Sequence, residues 1–318
     1  MSVRTILALR ALGLGDLLTG IPALRALQRA YPHHRIVLAT PRSLQPIVPL
    51  VGGISEVLHT RRTGDLHWRR AAPEIAVNLH GPGPQSIADL HRTGAGRIIT
   101  HRHPEFPDIA GPEWNDDIHV IDRWCQLLER SGIETDRTNF GLTHPGVARS
   151  GVIVHPGAGS PARRWPAERF ADIARHLRKQ GKQVRITGSF AERRLATQIA
   201  QRAGLDDRAV LAGKHNVGEL ATSVAGAELV VCGDTGIGHL ATALGTPSVV
   251  LFGPTPPRLW GPPPDMRRHI ALWSGAVGDP HAHRPDPGLL ALTVPDVISA
   301  VDRQLERYPA GREFSGVS

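Results

Sequence analysis

The sequence predicts an α/β fold with two doubly wound domains, each built on a parallel sheet that carries helices on both faces. A chain of 318 residues is long enough for two such domains. Short apolar runs alternate with segments whose apolar residues recur at helical spacing, a pattern typical of parallel sheets. The pattern lapses over residues 132–150 and then restarts, so we place the domain boundary there.

The first predicted domain, residues 1–145, begins with the apolar run 5–9, which indicates a buried strand. A glycine-containing turn follows it. Apolar residues at helical spacing predict one helix over 17–31 and a second, amphipathic helix over 118–131. Further short strands are expected at 35–39, 56–59, 75–79 and 97–100.

The second predicted domain, residues 151–293, repeats the alternation. Strands are expected at 152–154, 184–187, 228–232 and 248–252. Helices are expected at 167–179, 192–203, 217–225 and 239–244. A proline-rich stretch and an irregular segment then run to about residue 290, and a helix over 294–308 with a short tail closes the chain. Whether this closing segment, 294–318, packs back on the first domain is left open.

The composition argues against several classes of protein. Lys and Arg number 37 against 29 Asp and Glu, a net charge of +8 that is compatible with nucleic-acid binding. Aromatic residues, however, make up only 4% of the chain, which leaves few stacking platforms for single strands. Two cysteines exclude a disulfide scaffold, and no apolar run approaches the roughly 20 residues of a membrane span. We therefore expect a cytoplasmic protein without a nucleic-acid partner; peripheral membrane contact and the oligomeric state stay open.

The loop after the first strand contains Gly13 and Gly15 but does not fit the dinucleotide-binding fingerprint. Leu18 occupies the position of the third glycine, and no acidic residue ends the second strand, so the loop argues against NAD and FAD. Asp16 opens the following helix. Its carboxylate could cap the helix, or it could accept a proton from an attacking hydroxyl. The spacing leaves both roles open.

A second candidate loop, residues 155–166, follows the first strand of the second domain. Gly157 lets the backbone approach a ligand, Ser160 offers a hydroxyl, and Arg163 offers a permanent cation. Such a set suits a phosphate group that gains charge as it leaves. The alternative is a tight loop in which Arg163 and Arg164 are solvated.

The third candidate loop, residues 232–240, carries the most specific pattern. An apolar strand ends, a glycine-rich turn follows, and a helix begins, which presents backbone N–H groups and a positive dipole end to an anion. Thr235 adds a hydroxyl, and His239 falls in the first helical turn, whereas Asp234 could be only a helix cap. The residues of this predicted anion site are Asp234, Thr235, Gly236, Ile237, Gly238 and His239.

Several common sites are missing from the sequence. It has no P-loop and neither the C-x-x-C nor the H-E-x-x-H spacing of common zinc sites. No two aspartates stand two positions apart, so the D-x-D element that holds a metal on a nucleotide-sugar is missing. A diphosphate would therefore be neutralised by protein cations and a helix dipole, and we expect no metal and no cofactor.

Together these loops resemble those of glycosyltransferase family 9, the bacterial heptosyltransferases. Asp16 with the segment 22–27, followed by Tyr31 and Pro32, is similar to the opening of the family. Segments 156–166 and 234–240 resemble its two donor-site signatures, and residues 253–255 resemble the loop after them. The resemblance covers most of the chain.

The resemblance implies the GT-B architecture, two Rossmann-like domains that face each other across a central cleft. It also implies a metal-independent, inverting enzyme that moves a sugar, typically heptose, from an ADP-sugar to a hydroxyl of a glycan or small molecule. Asp16 matches the general base of the family, and Arg163 stands where relatives usually have a lysine that steadies the departing diphosphate. The implied donor-binding residues are Gly15, Gly157, Ser160, Arg164, Asp234, Thr235, Gly236, Ile237, Gly238 and His239. Another nucleotide-sugar enzyme on this fold, such as a non-hydrolysing epimerase, and a nucleic-acid-binding protein are the alternatives.

Overall fold

The computed structural model describes residues 4–310, whose contacts divide the chain after Thr143 into two compact units. Each unit is built on one five-stranded sheet, and all the strand pairs in both sheets are parallel. The predicted α/β class with two doubly wound sheets is confirmed. In the described part of the chain, no helix is long and apolar enough to cross a membrane.

The first unit holds five strands and five helices among its described residues. The strands are β1 Thr5–Leu9, β2 Arg35–Thr40, β3 Glu56–His59, β4 Ile75–Asn78 and β5 Arg97–Ile99. The helices are α1 Leu14–Thr19, α2 Ile21–Ala30, α3 Val48–Val51, α4 Pro84–His91 and α5 Val120–Glu129. The strand order is β3-β2-β1-β4-β5. Because the chain leaves the neighbours β1 and β4 toward opposite edges of the sheet, a crevice forms at their carboxyl ends.

The helix predicted over residues 17–31 is in fact two helices, α1 and α2, which meet at Gly20. Pro22 is the physical reason. Proline has no N–H group, and its ring clashes with the carbonyl four residues earlier, so it is tolerated only in the first turn of a helix. The chain therefore starts a new helix at Ile21, and this break ends α1 shortly after Asp16.

The connection from β3 to β4 crosses the sheet without a helix. Residues 60–74 pass two strands on the way from the edge strand β3 to β4. Leu66 from this connection is buried against the core cluster that contains Leu7 and Val37. The N–H of Gly64 donates a 2.7 Å hydrogen bond to the buried carboxylate of Asp89 on α4. This segment thus covers part of one face of the first sheet as an extended strap.

The second unit holds five strands and seven helices among its described residues. The strands are β6 Val152–His155, β7 Val184–Ile186, β8 Leu229–Gly233, β9 Ser248–Leu251 and β10 His269–Leu272. The helices are α6 Ala167–Lys179, α7 Arg193–Ala203, α8 Val217–Ala225, α9 Gly236–Leu244, α10 Pro257–Trp260, α11 Pro287–Ala291 and α12 Val294–Arg307. The strand order is β10-β9-β8-β6-β7. The chain leaves β6 and β8 toward opposite edges, so these two strands border the crevice of the second sheet.

The segment predicted as irregular up to residue 290 contains an edge strand. β10 pairs with β9 in the register His269 to Ser248, and only one side of it is covered by another strand. Its residues are mostly half-buried, so its sequence lacks the continuous apolar run of a central strand. The closing helix α12 packs on α6, β8 and β9 within the second unit.

Candidate functional site

Asp16 lies just past the carboxyl end of β1, at the third position of α1. Its Oδ2 atom accepts a 3.2 Å hydrogen bond from the N–H of Gly13, which is the N-cap residue. The predicted capping role is therefore observed in a different form. Asp16 is not the N-cap residue; it lies at the third helical position and accepts a hydrogen bond from the N-cap residue. Its side chain is 30% exposed, so the carboxylate stays accessible to a ligand.

A buried arginine accompanies Asp16, and the sequence analysis gave it no role. Nη2 of Arg10 lies 3.6 Å from Oδ1 of Asp16. Burial lowers the pKa of Arg10 to about 10, against a smaller effect of Asp16 that raises it, so the guanidinium is charged at neutral pH. The only sequence signal was a cation directly after a buried apolar strand, where water is scarce.

His80 follows β4 on the other side of the same crevice. Burial lowers its pKa, and the nearby charge of Arg10 lowers it further, whereas Asp16 and Asp89 oppose the shift. At neutral pH His80 is therefore a neutral imidazole. The crevice of the first sheet accordingly presents one carboxylate and one neutral histidine beside a buried cation.

In the second unit the structure brings Arg163 to Asp234. Nη1 of Arg163 lies 3.4 Å from the main-chain oxygen of Asp234 and 3.8 Å from its carboxylate. Asp234 is only 6% exposed, and burial raises its pKa to about 6 although Arg163 acts in the opposite direction. Nε of Arg163 is buried and has no hydrogen-bond partner among the described residues. The Arg163 side chain as a whole is 28% exposed, so part of its guanidinium is open to another acceptor.

The amino terminus of α9 lies directly after Asp234. Thr235 is its N-cap residue, but the hydroxyl makes no capping hydrogen bond, and the first turn holds no acidic residue. The first N–H groups of a helix have no partner within the helix and carry a partial positive charge. By contrast, Asn216 caps α8 through two hydrogen bonds. The start of α9 is thus suited to an external anion.

Aromatic and polar side chains surround this helix start. His239 lies in the first turn of α9, with its ring 6.1 Å from the ring of Trp260 in an edge-to-face arrangement. Asp234, Thr235, His239 and Trp260 are among the residues that line one small cavity. Trp260 was not predicted as a site residue, because its position beside α9 depends on contacts across the Pro-rich loop.

Two glycines let neighbouring chain segments approach each other. A Cβ atom on Gly233 would lie 3.0 Å from the main-chain oxygen of Arg163, so this position admits the loop that carries Arg163. A Cβ atom on Gly157 would lie 2.1 Å from the carboxylate of Glu192, another residue that the sequence analysis did not single out. Glu192 also accepts hydrogen bonds from the N–H and hydroxyl of Ser189, which fixes its side chain. Gly157 therefore lets a carboxylate stand beside the loop after β6.

The other predicted residues of this loop are held by their own surroundings. The hydroxyl of Ser160 is buried and donates a 3.5 Å hydrogen bond to the oxygen of Ala282. Arg164 is exposed, and its Nε donates a 3.0 Å hydrogen bond to the oxygen of Ala158. Arg163 and not Arg164 is thus the cation that faces Asp234.

His155 is the last residue of β6 and Cys232 the last but one of β8, the two strands that border the second crevice. Nδ1 of His155 lies 2.9 Å from the hydroxyl of Thr187, and burial lowers the pKa of the imidazole to about 4. Burial also raises the pKa of the Cys232 thiol. Both groups are neutral at neutral pH, as expected for packed side chains. Within residues 4–310, no group of three or more His, Cys, Asp or Glu side chains is arranged to hold a metal ion.

Comparison with known proteins places these loops among sugar-transferring enzymes. Residues 118–287 match the family model "Glycosyltransferase family 9 (heptosyltransferase)". The chain is 28% identical over 297 residues to lipopolysaccharide heptosyltransferase 1 of Pseudomonas aeruginosa, a match that covers 80% of each protein. It is 36% identical over 126 residues to lipooligosaccharide heptosyltransferase 2 of Haemophilus influenzae, but this match spans only 38% of the chain and 36% of that protein.

A solved structure extends the likeness to the whole fold. The ADP-heptose LPS heptosyltransferase II of Escherichia coli superposes with a TM-score of 0.78 at 20% identity, over 96% of this chain and 100% of that protein. At this level of identity the likeness speaks for the fold. It agrees with two Rossmann-like units of the GT-B class.

Proposed function

Because the chain belongs to glycosyltransferase family 9, the heptosyltransferases, we propose that it transfers heptose from ADP-heptose to a hydroxyl group with inversion and without a metal ion. The acceptor is a glycan or another hydroxyl compound. The observation that carries the proposal is the anion site of the second unit. There the partly exposed cation of Arg163 lies beside the start of α9, whose N-cap hydroxyl makes no capping hydrogen bond.

This anion site supports binding of a diphosphate. A phosphate oxygen would accept a hydrogen bond from the guanidinium of Arg163, and the first N–H groups of α9 would donate hydrogen bonds to the second phosphate. As the bond to the sugar breaks, negative charge develops on the diphosphate. A fixed guanidinium and a helix dipole stabilise that charge more than they stabilise the bound donor, and this lowers the barrier.

Asp16 supports the second half of the reaction. An acceptor hydroxyl attacks the anomeric carbon from the face opposite the diphosphate, which inverts the configuration. The hydroxyl must lose its proton as the new bond forms, and Asp16 would take that proton. General base catalysis of this kind contributes roughly 10²- to 10⁴-fold to the rate.

The first test is donor selection by the unmodified protein. Thermal unfolding is measured with ADP, ADP-heptose, UDP and GDP, since a ligand that binds only the native state raises the midpoint. We expect ADP and ADP-heptose to raise it and UDP and GDP to leave it unchanged. Stabilisation by UDP or GDP alone would overturn the ADP assignment.

The second test is transfer itself. With ADP-heptose and a panel of glycan acceptors, ADP release and the anomeric configuration of the product are measured, with and without EDTA. Product of inverted configuration, formed at an equal rate in EDTA, is the expected result. A rate that collapses in EDTA and returns with added metal would refute metal independence. Turnover of the donor with no acceptor present would instead favour an epimerase.

The role of Asp16 is tested with Asp16→Asn. Transfer should fall at least about 100-fold while the ADP-induced rise of the midpoint persists, because the base is lost and the anion site is intact. Asp108→Asn, an exposed aspartate of the same unit, is the matched control and should transfer at the normal rate. An Asp16→Asn variant with near-normal transfer would remove Asp16 from the mechanism.

A further inference from the structure

Arg10 is a buried charged side chain beside the crevice of the first sheet, and its environment is unusual for a cation. It follows β1 directly and is 1% exposed. Removing a guanidinium from water is costly unless acceptors and a counter-charge replace the lost hydration. The contacts of Arg10 show what replaces it.

The guanidinium binds three parts of the crevice at once. Nε donates a 2.8 Å hydrogen bond to the main-chain oxygen of Asp16, and Nη2 donates a 3.2 Å hydrogen bond to the hydroxyl of Thr19. Nη1 donates to the main-chain oxygen of Leu79, which follows β4 across the crevice. The planar group also lies 4.5 Å from the ring centroid of Trp124 on α5, where the ring face attracts a cation. Arg10 therefore ties the short helix α1 to the end of β4.

Two of the groups on Asp16, its main-chain oxygen and its carboxylate, lie beside Arg10. The main chain of Asp16 accepts from Arg10 and also from the hydroxyl of Thr19, at 3.0 Å. The carboxylate of Asp16 has Arg10 as its counter-charge at 3.6 Å. α1 is a short helix of six residues that ends at the break before Pro22, so it has little stability of its own. Arg10 thus contacts both the main chain and the carboxylate of Asp16, in addition to the hydrogen bond that this carboxylate accepts from Gly13.

We propose that Arg10 is the positioning residue of Asp16: it holds α1 and the carboxylate in the geometry needed for proton removal from the acceptor. The inference rests on the proposed function, because Asp16 acts as a base only if the protein is a transferase. It adds a residue that touches neither donor nor acceptor and acts through Asp16.

The test compares Arg10→Met, Arg10→Lys and Asp16→Asn with the double variant Arg10→Met/Asp16→Asn. A displacement of the base by about 1 Å costs on the order of 100-fold in rate, so kcat of Arg10→Met should fall about 100-fold while KM for the donor changes less than about three-fold. Arg10→Lys keeps the charge but cannot reach all three acceptors, so its kcat should lie between that of the unmodified protein and that of Arg10→Met. If Arg10 acts through Asp16, the double variant is no slower than Asp16→Asn alone.

A matched control is Arg25→Met. Arg25 also binds main-chain oxygens within the first unit, those of Val51 and Gly141, and its loss should lower stability with kcat retained. Should Arg10→Met not fold, Thr19→Val removes one acceptor of Arg10 and is expected to lower kcat roughly five-fold, the equivalent of one ordinary hydrogen bond.

Amide hydrogen exchange gives a readout that does not need activity. In Arg10→Met, the amides of residues 13–20 should exchange at least about 10-fold faster, with those of the second unit unchanged. Arg10→Met with kcat within three-fold of normal, or a double variant slower than Asp16→Asn by the full factor of Arg10→Met, would overturn the inference and leave the transferase intact. Absence of transfer by the unmodified protein would overturn the proposed function as well, whereas unchanged exchange would refute only the hold of Arg10 on α1.

Discussion

Arg163 and Asp234 join the two loops that border the crevice of the second sheet. The guanidinium comes from the loop after β6 and lies 3.8 Å from the carboxylate that follows β8. Because Asp234 is almost fully buried, its proton affinity is high even beside this cation, and its pKa rises to about 6. Above that pH the buried carboxylate is charged, and this charge lowers the free energy of unfolding.

This effect predicts how stability depends on pH. The pKa of Asp234 is about 6 in the native state against its ordinary value of 3.8, so the native state binds the proton more tightly than the unfolded chain. Between about pH 4 and pH 6 the unfolded chain has released this proton and the native state has not, so the free energy of unfolding falls as the pH rises. The fall from this group amounts to at most about 3 kcal/mol.

Asp234→Asn should abolish that dependence. The variant is expected to be more stable than the unmodified protein above pH 6, with the difference vanishing near pH 4, as measured by urea unfolding followed by circular dichroism. The exposed control Asp108→Asn should follow the unmodified protein. A variant that is less stable at pH 7.5 would show that the ion pair with Arg163 outweighs the burial of the charge.

Gly233, the last residue of β8, and Gly238, inside α9, make a matched pair. An added Cβ on Gly233 meets a main-chain oxygen, that of Arg163, at 3.0 Å, whereas on Gly238 it meets the side chain of Val250 at 3.4 Å, an ordinary contact. Gly233→Ala should therefore lower the free energy of unfolding by roughly 1–3 kcal/mol. Gly238→Ala, inside α9, should leave it equal or raise it by about 0.5–1 kcal/mol, because alanine favours the helix. Equal losses in thermal and urea unfolding would contradict the predicted contrast.

Trp165 anchors the start of α6 in the core of the second unit. It is 2% exposed, its indole N–H donates a 3.1 Å hydrogen bond to the oxygen of Leu292, and its ring packs edge-to-face on Phe170. Trp165→Ala should cost about 3–5 kcal/mol and Trp165→Phe about 1–2 kcal/mol in urea unfolding. Phe190→Ala, at a side chain that is 79% exposed, should stay within about 0.5 kcal/mol. A loss below 1 kcal/mol for Trp165→Ala would mean that the site collapses around the cavity.

The two thiols should be unreactive in the native protein. Burial raises the pKa of Cys125 to about 11 and raises that of Cys232 as well, so neither forms the reactive thiolate at pH 8. A disulfide reagent whose product absorbs light should modify both thiols within minutes in denaturant but only over hours without it. Rapid modification of one thiol in the native protein would show that its helix or strand opens locally.

The sequence predicted the elements that local patterns determine. The bounds of α6 and α8 agree with prediction because their apolar residues recur at helical spacing, and the bounds of β3 agree as well. It missed β10, whose partner strand covers only one side of it. It also joined α1 and α2 across a proline, although that proline was visible.

The candidate site likewise combines residues that a local sequence pattern indicates with residues that it does not. The loop that begins at Asp234 combines glycine, hydroxyl and helix start within a few residues, and a short window of sequence reveals it. Arg10 became evident only in the structure, because its hydrogen bond to Leu79 joins residues 69 positions apart. No local pattern encodes such a pairing.

The face of the first sheet that the extended strap of residues 60–74 covers should be exposed to solvent more easily than a face covered by a helix. A helix keeps its own ladder of hydrogen bonds when it lifts from a sheet, but a strap depends on isolated anchors such as Leu66 and the bond from Gly64 to Asp89. Once those anchors let go, solvent reaches the side chains of Leu7 and Val37 beneath it. The first unit is therefore expected to unfold locally at the strap before it unfolds elsewhere, and limited proteolysis should cleave the strap first.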